Sequence, residues 1–444
     1  MRRSEITPLK CALALACAAS AHAQVVPPGD PVNPIRIDPL PEIVCDPRPG
    51  SWRAWLRSPG GELPFHFELQ RLGGEDVERL AITIINGPER IDIPSAIFDG
   101  CTVTMMMPHY DARIVAELSD DGRRLSGEWT KRTGDSTFAE LPFEAAFDAG
   151  DPDPRFTPVD TTSPLPEYPP GLFPKTWRVN FESSDDPAVG KFELQNGGRL
   201  LGTFLTTTGD YRYLEGSFEQ GRLRLSCFDG AHAFLFDASM RVDGTLDGDF
   251  WSRDSWHERW TAEPDDSAAL PDAMGQTLWT GDADLADLRF PDLEGELRSL
   301  DDPAFHGKAR IIELFGTWCP NCHDHAKLMG ELDATYGDRG LSILGLAFEV
   351  SSNLERNIAQ VKRFQHRHDV SYPVLIAGRS DKAEATRTIK LLDRVRSYPT
   401  TIFLDADNRV RAIHTGFAGP ATGAAHDRLR EQFIQIVEDL LAAG

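Results

Sequence analysis

Positive charge is scarce in this 444-residue chain: 46 Lys and Arg stand against 69 Asp and Glu, a formal net charge of −23. Such a surface repels phosphate backbones and anionic lipid, so nucleic-acid binding is not expected. Long apolar runs are lacking as well. The run from Cys11 to Ala19 is too short to span a bilayer, and a multispan membrane protein is excluded. Cysteine is sparse, with seven residues in all, and no second Cys-x-x-Cys or Cys/His pair completes a zinc site. What remains is ordinary for folded domains, 41% hydrophobic and 26% charged. At ~100–200 residues per domain the chain holds two to four of them.

The N-terminus has the layout of a cleaved secretory signal over residues 1–23. Basic Arg2, Arg3 and Lys10 precede the apolar run, and Ala21-His22-Ala23 offers a small-residue cleavage site. The alternative is a lipoprotein signal that leaves Cys17 as the anchor. Either route exports the protein, to a periplasm or beyond, where stray thiols pair. After cleavage at Ala23 five cysteines remain, an odd number. A Cys45–Cys101 bridge, a Cys101–Cys227 bridge and buried free thiols all stay open.

Proline-rich linkers cover residues 24–49 and 151–174. The segments that follow them, 50–150 and 175–264, resemble one another. Trp52-Arg53 recurs as Trp177-Arg178, and Phe67-Glu68-Leu69-Gln70 as Phe192-Glu193-Leu194-Gln195. Phe98-Asp99-Gly100 recurs as Phe228-Asp229-Gly230, and Leu125 to Trp129 is echoed by Leu246 to Trp251. Short alternating stretches broken by Gly-Gly, Asp-Gly and Asn-Gly predict duplicated all-β modules, each a sandwich or small barrel. No catalytic constellation is apparent in either. A platform for a partner protein or for dimerisation is the expected role.

From 278 to 444 the pattern changes to an α/β domain. Buried strands are predicted at Arg310–Phe315 and Leu341–Phe348. Helical spacing joins Cys322, Ala326, Met329 and Tyr336, then Leu354, Ile358, Val361 and Phe364, and finally Leu429 to Leu441. Cys319-Pro320-Asn321-Cys322 falls where the first strand gives way to a helix. A thiol there faces unpaired amides and the positive end of the helix dipole, which favours the thiolate. Cys319 is therefore the predicted nucleophile, and Cys322, one turn on, the resolving thiol. Glu313 lies in the strand beneath them and is a candidate to move the proton of Cys322. Tyr398-Pro399 leads straight into an apolar strand, which suggests a cis turn beside the dithiol.

Gly316-Thr317-Trp318-Cys319-Pro320-Asn321-Cys322 and Tyr398-Pro399-Thr400-Thr401 together resemble the TlpA/ResA-like group of exported thioredoxin-fold proteins. Phe290 to Gly295, followed by Ser299-Leu300, is similar to the hairpin that opens their domain. The resemblance implies a thioredoxin fold, with Cys319 and Cys322 as a redox-active pair reducing protein disulfides. It also implies a Pro399 loop that grips substrate and a membrane-bound or exported electron donor. Trp318 and Tyr398 join Pro399 as expected substrate contacts. No cofactor and no metal are expected. The chain departs from the family at His325, where many members carry an acid.

Two other readings stand beside this one. The chain is alternatively a binding or scaffold protein with a non-catalytic thioredoxin-like domain. Cys319-Pro320-Asn321-Cys322-His323 also fits the c-type haem attachment pattern. His323, Asp324 and His325 are read as a solvated helix face, His414 as structural, and Trp251, Trp256 and Trp260 as core.

Overall fold

Alternation of buried and exposed residues drives strand formation in the first third of the chain, as in Ala112–Leu118. The computed structural model describes residues 45–73, 78–148, 154–158 and 168–443. The predicted signal, Cys17, most of the first linker and part of the second lie outside the described residues. Among the described residues no helix is long and apolar enough to cross a membrane.

The first module comprises β1 (Gly50–Ser58), β2 (Gly61–Gly73), β3 (Glu78–Asn86), β4 (Glu89–Asp92), β5 (Ser95–Asp99), β6 (Thr102–Met107), β7 (Ala112–Leu118), β8 (Arg124–Arg132) and β9 (Phe138–Phe147). Successive strands pair antiparallel except β4 and β5, which share one edge of β3, and β9 returns to β1. The result is a closed eight-membered barrel. The second module repeats it with β10 (Thr176–Phe181), β11 (Ala188–Leu194), β12 (Arg199–Thr206), β13 (Gly209–Asp210), β14 (Leu214–Glu219), β15 (Arg222–Phe228), β16 (Ala233–Met240), β17 (Leu246–Ser252) and β18 (Trp256–Pro264). Closure leaves no open edge to aggregate.

Trp52 stacks on Phe67 at 5.8 Å inside the first barrel. Phe204, Phe236 and Phe250 pack ring on ring in the second. The barrels join where Phe228 inserts against Phe65 and Trp129, at 4.5 and 5.8 Å. Buried Arg155, from the linker, bonds Asn86 Oδ1 of the first barrel at 2.8 Å and pairs with Glu215 of the second at 2.9 Å.

One of the sequence echoes is not a structural one. Phe98-Asp99-Gly100 forms the β5–β6 turn, whereas Phe228-Asp229-Gly230 enters the β15–β16 turn, whose topological counterpart is β6–β7. Those two true counterparts face each other. Gly230 has φ +92°, and a Cβ there would lie 2.5 Å from Met107 Sδ. Of the open cysteine pairings the structure has Cys45–Cys101, with Cys227 a buried free thiol.

The C-terminal domain opens with a hairpin of β19 (Arg289–Pro291) and β20 (Leu297–Ser299). Its sheet holds β21 (Ala309–Phe315), β22 (Leu341–Glu349), β23 (Val374–Arg379), β24 (Thr400–Asp405) and β25 (Val410–Thr415) in the order β23-β22-β21-β24-β25. The first three strands run parallel, and β24 and β25 are antiparallel. Helices α1 (Pro320–Tyr336), α2 (Leu354–His368), α3 (Lys382–Ile389) and α4 (Ala424–Ala443) complete a thioredoxin-like fold. Every residue of β21 is buried, as a central parallel strand requires. It delivers the chain straight to the N-terminus of α1.

Candidate active site

Cys319 is the N-cap of α1, with Pro320 at the first helical position where no N–H is needed. Its Sγ accepts the Cys322 N–H at 3.4 Å and lies 3.6 Å from the Tyr398 carbonyl, to which the thiol donates. The Tyr398–Pro399 peptide is cis. Both cysteines are free thiols. Cys322 is only 1% exposed. Burial pushes its thiol well above the ordinary range, and neighbouring Cys319 and the Glu313 charge push it the same way.

Glu313 is buried at the centre of β21, accepting the Tyr372 hydroxyl at 2.7 Å. His325 Nδ1 stands 2.8 Å from Glu313 Oε2, at ion-pair distance but not aligned as a hydrogen bond. The other His325 nitrogen meets Thr401 Oγ1 at 2.9 Å. The residue that departs from the family pattern thus faces the buried acid.

The solvated-face reading of His323, Asp324 and His325 is overturned: all three are buried. They point in different directions, as helical neighbours must, but every direction is covered. His325 turns to the sheet. His323 sits beneath the β6–β7 turn, its ring 4.6 Å from that of Tyr110. Its nitrogens engage Thr317 O at 2.8 Å and His368 Nε2 at 2.6 Å. With both nitrogens engaged, His323 has none left for the axial position that the haem pattern requires. Asp324 meets Arg212, a buried residue of the second barrel with φ +60°.

Arg212 also pairs with Glu89 of the first barrel at 2.6 Å and lies 3.2 Å from Asp229 of the second. Three modules therefore share one guanidinium beside the dithiol. The hairpin loop between β12 and β13 comes equally close. Gly209 has φ +151°, and a Cβ there would lie 2.5 Å from Asn321 Nδ2. The Ser397 hydroxyl, next to Tyr398, donates to Thr208 O of the same loop. Lys131 of β8 donates to Trp318 O and Ala231 O, both at 3.3 Å, and burial pushes its ammonium down to about 7. Neither Lys131 nor Arg212 was foreseen from sequence, because a contact between modules leaves no local pattern.

The active-site turn is held from the sheet by Glu349, also unforeseen, at the end of β22. It accepts the Thr317 N–H at 2.9 Å and the Thr317 hydroxyl at 2.7 Å. Burial pushes its carboxyl up to about 7 against the pull of those donors. A raised carboxyl stabilises the fold below its ordinary value near 4.5, and that contribution is lost as pH rises through about 7. Glu349→Gln keeps an acceptor for the N–H and a donor for the hydroxyl oxygen. Relative to this variant, the native protein is expected to lose about 3 kcal/mol of stability between acidic and alkaline pH. Urea melts at about pH 4 and 8 check this, and parallel pH profiles for the two proteins refute it.

A cleft of about 470 Å³ opens over Cys319. Trp318, Asn321 and Tyr398 line it from the C-terminal domain, while the second barrel supplies Tyr211, Phe250 and Trp256. Trp256 is 48% exposed and Trp251 packs half-buried against the first barrel, so only Trp260 of the three tryptophans is fully core. The Tyr398 ring packs between Trp318 and Phe348, and its hydroxyl is buried without a hydrogen-bond partner among the described residues. His414 bonds Gly416 O at 3.1 Å within its own turn.

The AhpC/TSA family pattern matches residues 282–413. The thioredoxin-like protein YneN of Bacillus subtilis is 30% identical over 130 residues, 29% of this chain and 68% of YneN. The thiol-disulfide oxidoreductase ResA of Halalkalibacterium halodurans is 26% identical over 149 residues, 33% of this chain and 71% of that protein. ResA of Bacillus thuringiensis is 32% identical over 119 residues, 27% of this chain and 60% of that protein. A thiol:disulfide interchange protein of the thioredoxin family from Chlorobium tepidum, a solved structure, is 23% identical with a TM-score of 0.26, covering 36% of this chain and 99% of that one.

Proposed function

Since the chain belongs, through its C-terminal third, to the thioredoxin-like thiol–disulfide oxidoreductases, we propose that it reduces protein disulfides outside the cytoplasm with Cys319 and Cys322. The Cys319 thiolate attacks a substrate disulfide, forming a mixed disulfide and releasing one substrate thiol. Cys322 then attacks Cys319 Sγ, frees the second thiol and closes the Cys319–Cys322 bond. Glu313 takes the Cys322 proton in that step, with His325 beside it to steady the carboxylate. A separate membrane-bound or exported donor returns two electrons and two protons.

The observation that carries this reading is the placement of Cys319. It caps α1 with its sulfur on the Cys322 amide, where a thiolate gains a donor and the helix dipole. The Cys45–Cys101 disulfide supports an oxidising compartment, and so export. The barrels act in partner recognition by walling the cleft over Cys319, with Trp318, Tyr398 and Pro399 receiving substrate from the other side.

A redox titration in dithiothreitol or glutathione buffers, read by alkylation and mass spectrometry at both cysteines, tests the proposal. We expect one reversible two-electron transition near roughly −270 mV, as for a reductase. A transition near roughly −120 mV would make the protein an oxidant instead. A pair that never titrates would leave the scaffold reading in its place.

A further inference from the structure

Cations are the minority charge of this chain, yet three converge where the dithiol opens to solvent. Lys131 of the first barrel, Arg253 of the second and Lys382 of α3 all line the cleft over Cys319. None has a carboxylate partner within ion-pair distance among the described residues. Lys131 spends two of its three donors on main-chain carbonyls. Two carboxylates line the same cleft, and both are committed. Asp210 accepts the Arg212 and Gly419 N–H groups. Glu258 accepts the Ser183 N–H and hydroxyl and the Trp256 indole N–H. With three cationic side chains against two carboxylates, and both carboxylates held by N–H and O–H donors, the cleft lining carries a positive balance.

The shape adds a second restriction. Cys319 is 7% exposed and lies under a barrel. A cleft of about 470 Å³ falls in the range of small-ligand pockets, ~300–1,000 Å³. A flat protein face, burying ~800 Å² per partner, does not fit it. An extended chain a few residues long does.

Resting on the dithiol function above, we propose that the cleft selects an acidic cysteine peptide, whose carboxylates meet Lys131, Arg253 and Lys382 while its sulfur lies over Cys319. The barrels thus supply substrate selection, since two of the three cations are theirs. Local fields in a low-dielectric cleft outweigh distant charge, which is how an acidic protein holds an acidic ligand.

Three small disulfides of different charge test this on the full reduced protein in single turnover: anionic glutathione disulfide, neutral hydroxyethyl disulfide and cationic cystamine. In each case Cys319 displaces one thiol and Cys322 the other. The protein loses two electrons and two protons, and the probe becomes two thiols. A thiolate on a chain of net charge −23 should by itself favour cystamine, so the expected order is the reverse of that baseline. Glutathione disulfide should react about tenfold faster than cystamine at low salt, and the ratio should shrink as salt screens it. In the Arg253→Ala/Lys382→Ala double variant, both positions outside the core, the ratio should fall about fivefold. Faster reaction with cystamine, or a ratio unmoved by the double variant, overturns anionic selection while leaving the dithiol function standing. Failure of all three probes to oxidise Cys319 overturns both together. A central cysteine in an acidic decapeptide, offered as a glutathione mixed disulfide, separates two sources of the same chemistry. Preference for it over a lysine-rich counterpart assigns the cleft to a segment of a protein chain, and preference confined to glutathione disulfide assigns it to a free peptide.

Discussion

Cys319→Ser abolishes disulfide exchange, on the order of 10³-fold or more, because a serine hydroxyl is a far weaker nucleophile toward a disulfide than a cysteine sulfur. Cys322→Ser has a different signature. Attack by Cys319 proceeds, but nothing resolves the product, so a mixed disulfide with substrate accumulates. Mass spectrometry after acid quench reads both outcomes. The remaining free thiol among the described residues, Cys227, cannot substitute: it is wholly buried in β15, and burial pushes it far above the ordinary thiol range. Residual turnover above about a tenth in the first variant, or no trapped adduct in the second, would remove the dithiol from the mechanism.

The second large effect is on stability. Arg212→Ala leaves Glu89, Asp229 and Asp324 facing one another at a buried junction without the guanidinium they share. Removing one partner of a buried ionic group costs about 3–5 kcal/mol, because the charges left behind stay desolvated. Lys327 and His232 retain contacts with Asp324 and Asp229, but neither reaches Glu89. The loss must also depend on pH. Without Arg212 the folded-state carboxyls titrate at higher pH, so the variant is penalised fully near neutrality and progressively less as acid protonates them. Guanidinium melts at pH 7 and near pH 4.5 should show the deficit shrinking. A deficit below about 1 kcal/mol at pH 7 would mean that water reaches the junction and screens it.

The dithiol and its cis-proline partner were legible because their chemistry is local. Cys319, Pro320 and Cys322 lie within one helical turn, and Pro399 announces itself by opening an apolar strand. The duplication was legible through Trp52 and Trp177, which both sit on the first strand of a barrel and are fully buried. The Phe-Asp-Gly echo misled for a physical reason. Asp-Gly suits any tight turn that needs a positive φ, and Gly100 and Gly230 both have one, so the tripeptide marks a turn and not a position. Barrel closure by β1 and β9 was hidden because a long-range pairing leaves no periodicity. His323 and Asp324 were misread because helical spacing reports the face turned to the sheet, while their side is covered by modules that spacing cannot see; His325, three residues after Cys322, shares the sheet face and was misread for its polarity. Arg212, Lys131 and Glu349 act only through space.

Equivalent turns of the two barrels, no longer alike, converge on the dithiol helix, one directly and the other through Arg212. One carries His109 and Tyr110 over His323, and the other carries Asp229 to the shared arginine. A pair of identical subunits clasping the same helix would be obliged to change both turns at once. Joining the copies in one chain frees each from the other's history, so one turn can drift toward a new substrate while its twin keeps the buried junction intact.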